Sequence, residues 1–490
     1  MTMLPEQAMV LALLVPLVGA VLIALASRTP NVREGITLAT ATTLLLCVLG
    51  ALPAILAGQR PGFTLLTMMP GLDIAFRLEP LGMLFALIAS GLWIVNSLYS
   101  IGYMRGNQEA KQTRFYVYFA LSIAATMGIA LSANLFTLFL FYEALTLLTY
   151  PLVTHQGTDK ARRGGRTYIG LLMGTSIVFL LPALVFTWAL TGSTDFTPGG
   201  ILAGKLGHTG MAALLLLFMF GIGKAALMPF HRWLPAAMVA PTPVSALLHA
   251  VAVVKAGVFS VVKVIVYIFG ADTLASAGVA GAADALVALA GFTIVSASVV
   301  ALGADNLKRR LAYSTISQLS YVVMAAAVLA PLSLIGAAMH IAAHAVGKIT
   351  LFFAAGAIYT AAHKTEVSQL DGIGRRMPWT MAAFAIASLS MIGLPPTVGF
   401  VSKWYMVSGA MAAQQTLVLV VIAVSTLLNA GYFLPIVYRA FFVAPAAGDA
   451  PHGEAPLPMV LALCATAAVT VVLFFVPDVP LALARQMVGP

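Results

Sequence analysis

The sequence predicts an all-α, polytopic membrane protein, and three observations carry that expectation. Of the 490 residues, 61% are hydrophobic and only 9% are charged, whereas a soluble domain carries roughly 25% charged residues. Apolar runs near the ~20 residues needed to cross a bilayer succeed one another along almost the whole chain. Of 26 Lys and Arg, seventeen fall in alternate loops and four in the remaining loops and the two ends. That asymmetry marks polytopic helical proteins; a β-barrel would show short alternating segments instead. The net charge of +10 is therefore loop charge with a topological role, and it does not point to nucleic acid.

Taken in order, fourteen spans are expected near 6–26, 36–57, 80–102, 114–131, 134–153, 166–190, 210–228, 243–269, 281–303, 311–329, 332–359, 379–410, 415–442 and 457–476. The first has no basic stretch before it and no small-residue cleavage site, so it is read as a retained span rather than a signal peptide. Between the second and third spans, Arg60 to Glu79 reads as a longer, polar-interrupted loop. The run near 379–410 is broken by Gly393, Pro395, Pro396 and Gly399, and the long runs near 243–269 and 332–359 hold Gly257 and Gly347 midway. Breaks at membrane depth are tolerated where the freed backbone faces protein or water, and paired broken helices point to a transport path. The Arg- and Lys-rich odd loops are expected in the cytoplasm, with both termini on the other side of a cell (inner) membrane. Cys47 and Cys464 sit in apolar runs without a CxxC pair, which leaves iron–sulfur and zinc sites unsupported.

Ionisable side chains inside spans cost several kcal/mol and usually serve a function. Five remain after the loops are counted, and all are lysine: Lys224, Lys255, Lys263, Lys348 and Lys403. Arginine cannot release its proton in a protein, whereas buried lysine can, so the bias suits groups that switch. Glu143, in LFLFYEALTLLTYPL, is read as the one acid deep in a span. His249 lies two turns before Lys255, and His340, His344 and Lys348 are spaced four apart, on one helix face. Histidine titrates near neutrality and suits proton hand-over.

Each of these residues also has a simpler explanation. Lys263, nearer the end of its helix, can be a snorkelling residue. His340 can be a hydrogen-bonded core histidine, Glu143 an interhelical hydrogen-bond partner, and His231 with Arg232 an interfacial anchor. The GIGK at Gly221 lacks the earlier glycine of a Walker loop, where Phe218 stands. Neither a Ser-His-Asp nor a Cys-His constellation is recognisable.

Three blocks give the chain a resemblance to a known family. They are GKAALMPFHRWLPAAMVAPTPVSALLHAVAVVKAG, ADNLKRRLAYSTISQLSYV and IGLPPTVGFVSKW. In this order and spacing they resemble the antiporter-like subunits shared by respiratory complex I, Mrp-type cation/proton antiporters and membrane-bound hydrogenases, over roughly residues 75 to 440. The resemblance implies about 14 transmembrane helices with two inverted five-helix repeats, helices 4–8 and 9–13, in which helices 7 and 12 are broken. In this chain that divides residues into 1–110, 111–270, 271–443 and 444–490. It implies that Glu143 pairs with Lys224, that Lys255 is the central lysine with His249 beside it, and that His340, His344 and Lys348 form a polar cluster. Lys403 becomes the terminal lysine of the second half-channel. Lysine there places the chain nearer Mrp D-type or complex I N- and L-like members, and the absence of a long lateral helix argues against the L-like ones.

The expected function is that of a proton-translocating subunit of a multi-subunit membrane complex, using a Glu/Lys/His relay. A Mrp D-type cation/proton antiporter subunit is the first reading. A complex I-like or hydrogenase-type pump subunit is the second, with any redox catalysis left to other subunits. No cofactor or metal is expected in this chain. Its expected partners are other antiporter-like and small membrane subunits, the lipid bilayer and protons, with Na+ as a further candidate ion.

Overall fold

Proline opens five of the long helices, at Pro5, Pro30, Pro80, Pro331 and Pro378. Its missing N–H falls where a helix has no acceptor to offer, and its fixed φ suits the first turn. The structure, a computed structural model, describes residues 4–276, 280–445 and 451–489. The helices are α1 (Pro5–Leu25), α2 (Pro30–Leu56), α3 (Pro80–Gly106), α4 (Gln112–Ala130), α5 (Leu135–Val153), α6 (Asp159–Thr191), α7 (His208–Gly221), α8 (Thr242–Phe269), α9 (Ala280–Gly303) and α10 (Leu307–Ala327). They continue with α11 (Pro331–Ala362), α12 in two halves (Pro378–Ile392 and Val398–Ala412), α13 (Thr416–Phe442), α14 (Leu457–Phe475) and the short α15 (Asp478–Val488).

Among the described residues, eleven helices are long and apolar enough to cross a membrane. Three predicted spans fall outside that number for local reasons. Helix α7 stops after 14 residues at Gly221. Helix α10 begins with Lys308, Arg309 and Arg310 and continues through a Ser-, Thr- and Gln-rich face. Helix α12 is split at Gly393–Thr397.

The expected loop from Arg60 to Glu79 is instead an antiparallel hairpin, β1 (Gly62–Met69) and β2 (Leu72–Arg77). It departs from a purely helical chain because the α4–α5 turn offers it partners. The Arg77 amide donates to the Leu131 carbonyl at 2.7 Å, and the Ala75 amide to the Thr137 hydroxyl at 2.9 Å. Asn134 caps α5 and donates to the Asp73 carbonyl at 2.9 Å.

Helix α8 is wholly buried, α11 is buried from Ser333 to Ile358 and α10 nearly throughout, while most of the others turn apolar faces outward; α1 exposes Leu14, Leu17, Val18 and Val21. Such outward leucines and valines suit a hydrocarbon surrounding. Within α8 the helical ladder slips twice into π-turns, at Leu247–Val251 and Val264–Phe269. A third π-turn, Ser176–Leu180 in α6, ends where Pro182 removes a donor. Gly257 of α8 backs directly onto the break after α7, since a Cβ there would lie 2.3 Å from the carbonyl carbon of Lys224. Gly393, with φ near +90°, reverses the chain at the end of the first half of α12, a conformation that favours glycine.

Candidate functional site

The break after α7 is built around Lys224. After Gly221 the chain takes a short 3₁₀ turn, Gly223–Ala225, and Trp233 fastens it by donating from Nε1 to the Gly223 carbonyl at 2.9 Å. Helix α5 supplies the other wall. Tyr142 accepts the Lys224 amide on its hydroxyl at 3.0 Å. The Lys224 ammonium donates to the Tyr142 carbonyl at 2.7 Å and the Thr146 hydroxyl at 2.6 Å, and lies 3.1 Å from the centre of the Tyr142 ring. Cation–π attraction and charge-assisted hydrogen bonds both strengthen when water is excluded.

Glu143 follows Tyr142 yet makes no ion pair with Lys224; neither carboxylate oxygen has a hydrogen-bond partner among the described residues. The expected contact of the two is therefore open in this conformation. Glu143 shares its stripe of α5 with Leu140 and Leu147, both exposed, one turn away on either side.

A second group lies where α8, α10, α11 and α12 meet. Lys255 Nζ and His344 Nδ1 share a hydrogen bond, joining the two buried helices. One turn earlier on α11, His340 has partners for both nitrogens: Ser402 Oγ at 2.9 Å from Nδ1, and Gln318 Oε1 at 3.0 Å from Nε2. The serine hydroxyl also lies 3.0 Å from the Gly399 carbonyl. These contacts serve two protonation states. In a neutral ring, Nε2–H donates to Gln318 and Nδ1 accepts from Ser402. In a charged ring, both nitrogens donate and the serine turns its proton to Gly399. One turn after His344, Lys348 donates to the Ser314 hydroxyl at 2.5 Å.

Gln318 carries the line to α12. Its Nε2 donates to the Met391 carbonyl at 3.3 Å. The same oxygen accepts from Lys403 Nζ at 3.0 Å and from Asn429 at 3.3 Å, and Lys403 also donates to the Ile392 carbonyl at 2.9 Å. These carbonyls are free because the first half of α12 ends there, and the negative end of a helix dipole favours a cation.

The structure thus brings Lys255, His340, His344, Lys348 and Lys403 into one neighbourhood and keeps Glu143 and Lys224 in another. His249 belongs to neither hydrogen-bonded set: it is buried in the first π-turn of α8, its ring 4.9 Å from that of Phe352, and neither nitrogen has a partner among the described residues. Lys263 does not snorkel. It is 1% exposed, forms an ion pair with Glu79 at the start of α3, and lies 4.0 Å from the Phe196 ring centre. Glu79 is 6% exposed, so Glu143 is not the sole acid in the buried interior. His231 and Arg232 stand outside the relay neighbourhood, with Arg232 at the edge of a cavity near the loop ends. The sequence reading missed Gln318, Ser402, Ser314, Tyr142 and Glu79. The polar run YSTISQLSY on α10 is the one compositional sign of the first and third.

Residues 132–429 match the family described as "NADH:quinone oxidoreductase/Mrp antiporter, TM". The chain is 34% identical over 376 residues to NADH-quinone oxidoreductase subunit N of Desulforudis audaxviator, covering 76% of this chain and 74% of the relative. It is 28% identical over 352 residues to the D-type subunit of the Na(+)/H(+) antiporter of Alkalihalophilus pseudofirmus, covering 71% and 69%. It is also 30% identical over 387 residues to the A/B-type subunit of a probable K(+)/H(+) antiporter of Rhizobium meliloti, of which it spans only 37%. Its fold matches a chain of the Mrp complex from Dietzia sp. DQ12-45-1b, with a TM-score of 0.86 at 21% identity over 99% of this chain and 97% of that one.

Proposed function

We propose, for a chain that belongs to the NADH:quinone oxidoreductase/Mrp antiporter transmembrane family, that its buried lysines and histidines relay protons laterally between two half-channels. The chain is an antiporter-like, proton-translocating membrane subunit; the residues and their order are the proposal. The observation that carries it is the direct Lys255–His344 hydrogen bond between α8 and α11; the His340 ring lies 6.1 Å from that of His344 and leads through Gln318 and the Met391 carbonyl to Lys403. Each protonatable member is a base able to release its proton, and the hydroxyl beside His340 suits both charge states.

In this reading, Glu143 and Lys224 form the switch at the near end. Without a direct ion pair, as here, the Lys224 ammonium is held by the Tyr142 carbonyl and the Thr146 hydroxyl. Closing the pair would hold the proton. His249 and Lys348 extend the file along α8 and α11, and Lys403 exchanges with the opposite side. Residues 111–270 and 271–443 form the two repeats, a division supported by one broken helix with one buried lysine in each. The loop charges support a cytoplasmic position for the odd loops.

Neighbouring membrane subunits are supported by the fold match to a chain of the Mrp complex. A Mrp D-type antiporter subunit is the first reading of the parent complex, supported by the similarity to a D-type Na(+)/H(+) antiporter subunit over about 70% of both chains. The second is a redox-driven pump, favoured by the 34% identity to a subunit N over three quarters of both chains.

The relay is tested by reconstituting the intact complex with Lys255→Ala into proteoliposomes and following proton uptake. Transport is expected to vanish while subunit composition is retained; wild-type uptake would refute the relay. Mass spectrometry of the copurified complex separates the two parents. Small antiporter subunits mark the first, and subunits with iron–sulfur clusters the second.

A further inference from the structure

A cavity of about 750 Å³ opens among the starts of α6, α8 and α10, apart from the relay. Five cations line it, Lys160, Arg232, Lys308, Arg309 and Lys364, and no Asp or Glu is among its lining residues. Lys160, Arg232 and Arg309 are exposed. Lys308 is partly buried and donates to the Ala240 carbonyl at 2.6 Å, while the Arg309 guanidinium lies 5.9 Å from the Tyr313 ring centre. Glu109 acts on Lys308, and Asp371 on Lys364, from outside the lining. The exposed Lys160, Arg232 and Arg309 add positive charge to the same cavity, which an entering anion would offset.

The backbone adds to the same field. Thr158 and Asn306 cap α6 and α10, and both line the cavity. Thr242, the first residue of α8, lines it too, and α8 starts without a side-chain cap. Helix N-termini favour anions. Three tyrosines, Tyr103, Tyr313 and Tyr359, complete the wall, beside the apolar Met238, Val239 and Leu307. The volume is far larger than a single small ion, and the mixture of cations with apolar side chains suits an amphiphile.

We propose that this basic cavity binds a phosphate-bearing anion, either the headgroup of an acidic phospholipid or free phosphate. Arginine recognises phosphate through paired hydrogen bonds and lysine as a point charge, and both types are present. The site lies outside the relay and does not depend on the proposed transport.

The test uses the purified intact complex, stripped of lipid in mild detergent. One arm reconstitutes it in nanodiscs of phosphatidylglycerol and phosphatidylcholine and measures retained lipid by native mass spectrometry. The other titrates it with inorganic phosphate by calorimetry. The Arg232→Gln/Arg309→Gln variant replaces two exposed residues and is expected to bind at least about tenfold more weakly, roughly 1.4 kcal/mol. Phosphatidylglycerol that is retained and resists phosphate identifies a lipid headgroup, and phosphate binding without retained lipid identifies the free anion. If the double variant does not assemble, Lys160→Gln alone is compared, with a loss of about threefold expected. Equal binding of both probes by wild type and variant overturns the proposal.

Discussion

Lys403 donates to the carbonyl oxygen of Met391 at 3.0 Å, from the second half of α12 to the end of the first. The broken helix thus makes its own cation site: two carbonyls that a continuous helix would use internally hold an ammonium instead. The break after α7 does this differently, with Lys224 held by the carbonyl and hydroxyl of a neighbouring helix.

A permanent charge at that site should hold the structure and stop the traffic. Lys403→Arg keeps a donor for Met391 and Ile392 but cannot give up its proton. Proton uptake by proteoliposomes should fall at least about 100-fold, the scale of a lost proton-transfer group, with subunit composition unchanged.

Gln318 is a positioning residue between His340 and the Met391 carbonyl. Gln318→Leu should slow uptake by roughly tenfold or more, within the range for a misplaced proton-transfer partner. Gln318→Glu, which restores an acceptor for Nε2, should recover part of the rate. A structural role alone would lower the melting temperature of both variants equally and spare the difference in rate.

The Lys263–Glu79 pair is a staple between α8 and the start of α3. Removing one partner strands a buried charge, at a cost of about 3–5 kcal/mol. Lys263→Met should therefore lower the melting temperature in detergent sharply, and the double variant with Glu79→Gln should recover most of the loss.

Gly257→Ala should also destabilise. Alanine gains about 1 kcal/mol in helix propensity, but its Cβ would sit 2.3 Å from the Lys224 carbonyl carbon, and overpacking against backbone costs about 1–3 kcal/mol. The balance predicts a lower melting temperature, together with displaced Lys224 and reduced uptake.

His155, just beyond α5, gives a pH dependence. Burial, with Arg114 and Lys111 nearby, pushes its imidazole down to about 4, against the bond between Nε2 and the Ala110 carbonyl at 2.9 Å. Below pH 6.5 the unfolded chain takes up a proton that the folded chain refuses until about 4, so stability falls as pH drops through that window. Melting temperatures measured from pH 7 to pH 4.5 should decline, and His155→Gln should flatten the decline.

How much of this could be read from the residues follows from what leaves a compositional trace. Apolar length marks a span, so α8, α11 and α13 begin and end within a few residues of expectation. Gly and Pro mark a break, so the division of α12 was legible. The hairpin was not, because its strand β1 stays mostly exposed and shows no alternation of buried and solvent-facing residues. Nor were the π-turns of α8, since a slipped hydrogen-bond ladder leaves no mark in Val, Ile, Leu and Ala. The lysines and histidines were found because they are out of place in hydrocarbon. Gln318 and Ser402 were passed over because polar uncharged residues are ordinary in a helix. Glu79 looked like a loop residue before Pro80, and only the fold brings Lys263 to it.

The positions of the bases along their helices have an electrical consequence. Lys255 is near the midpoint of α8, and His340, His344 and Lys348 flank the midpoint of α11. A proton handed from Lys255 to His344 therefore travels mainly across the slab, while the step from His344 to His340 carries it about 6 Å along α11. Moving a unit charge through the full field is worth about 2.3 kcal/mol per 100 mV. In the relay proposed here, most of that work falls on loading and release. Voltage should then alter how often a proton boards or leaves more than the speed of its passage between.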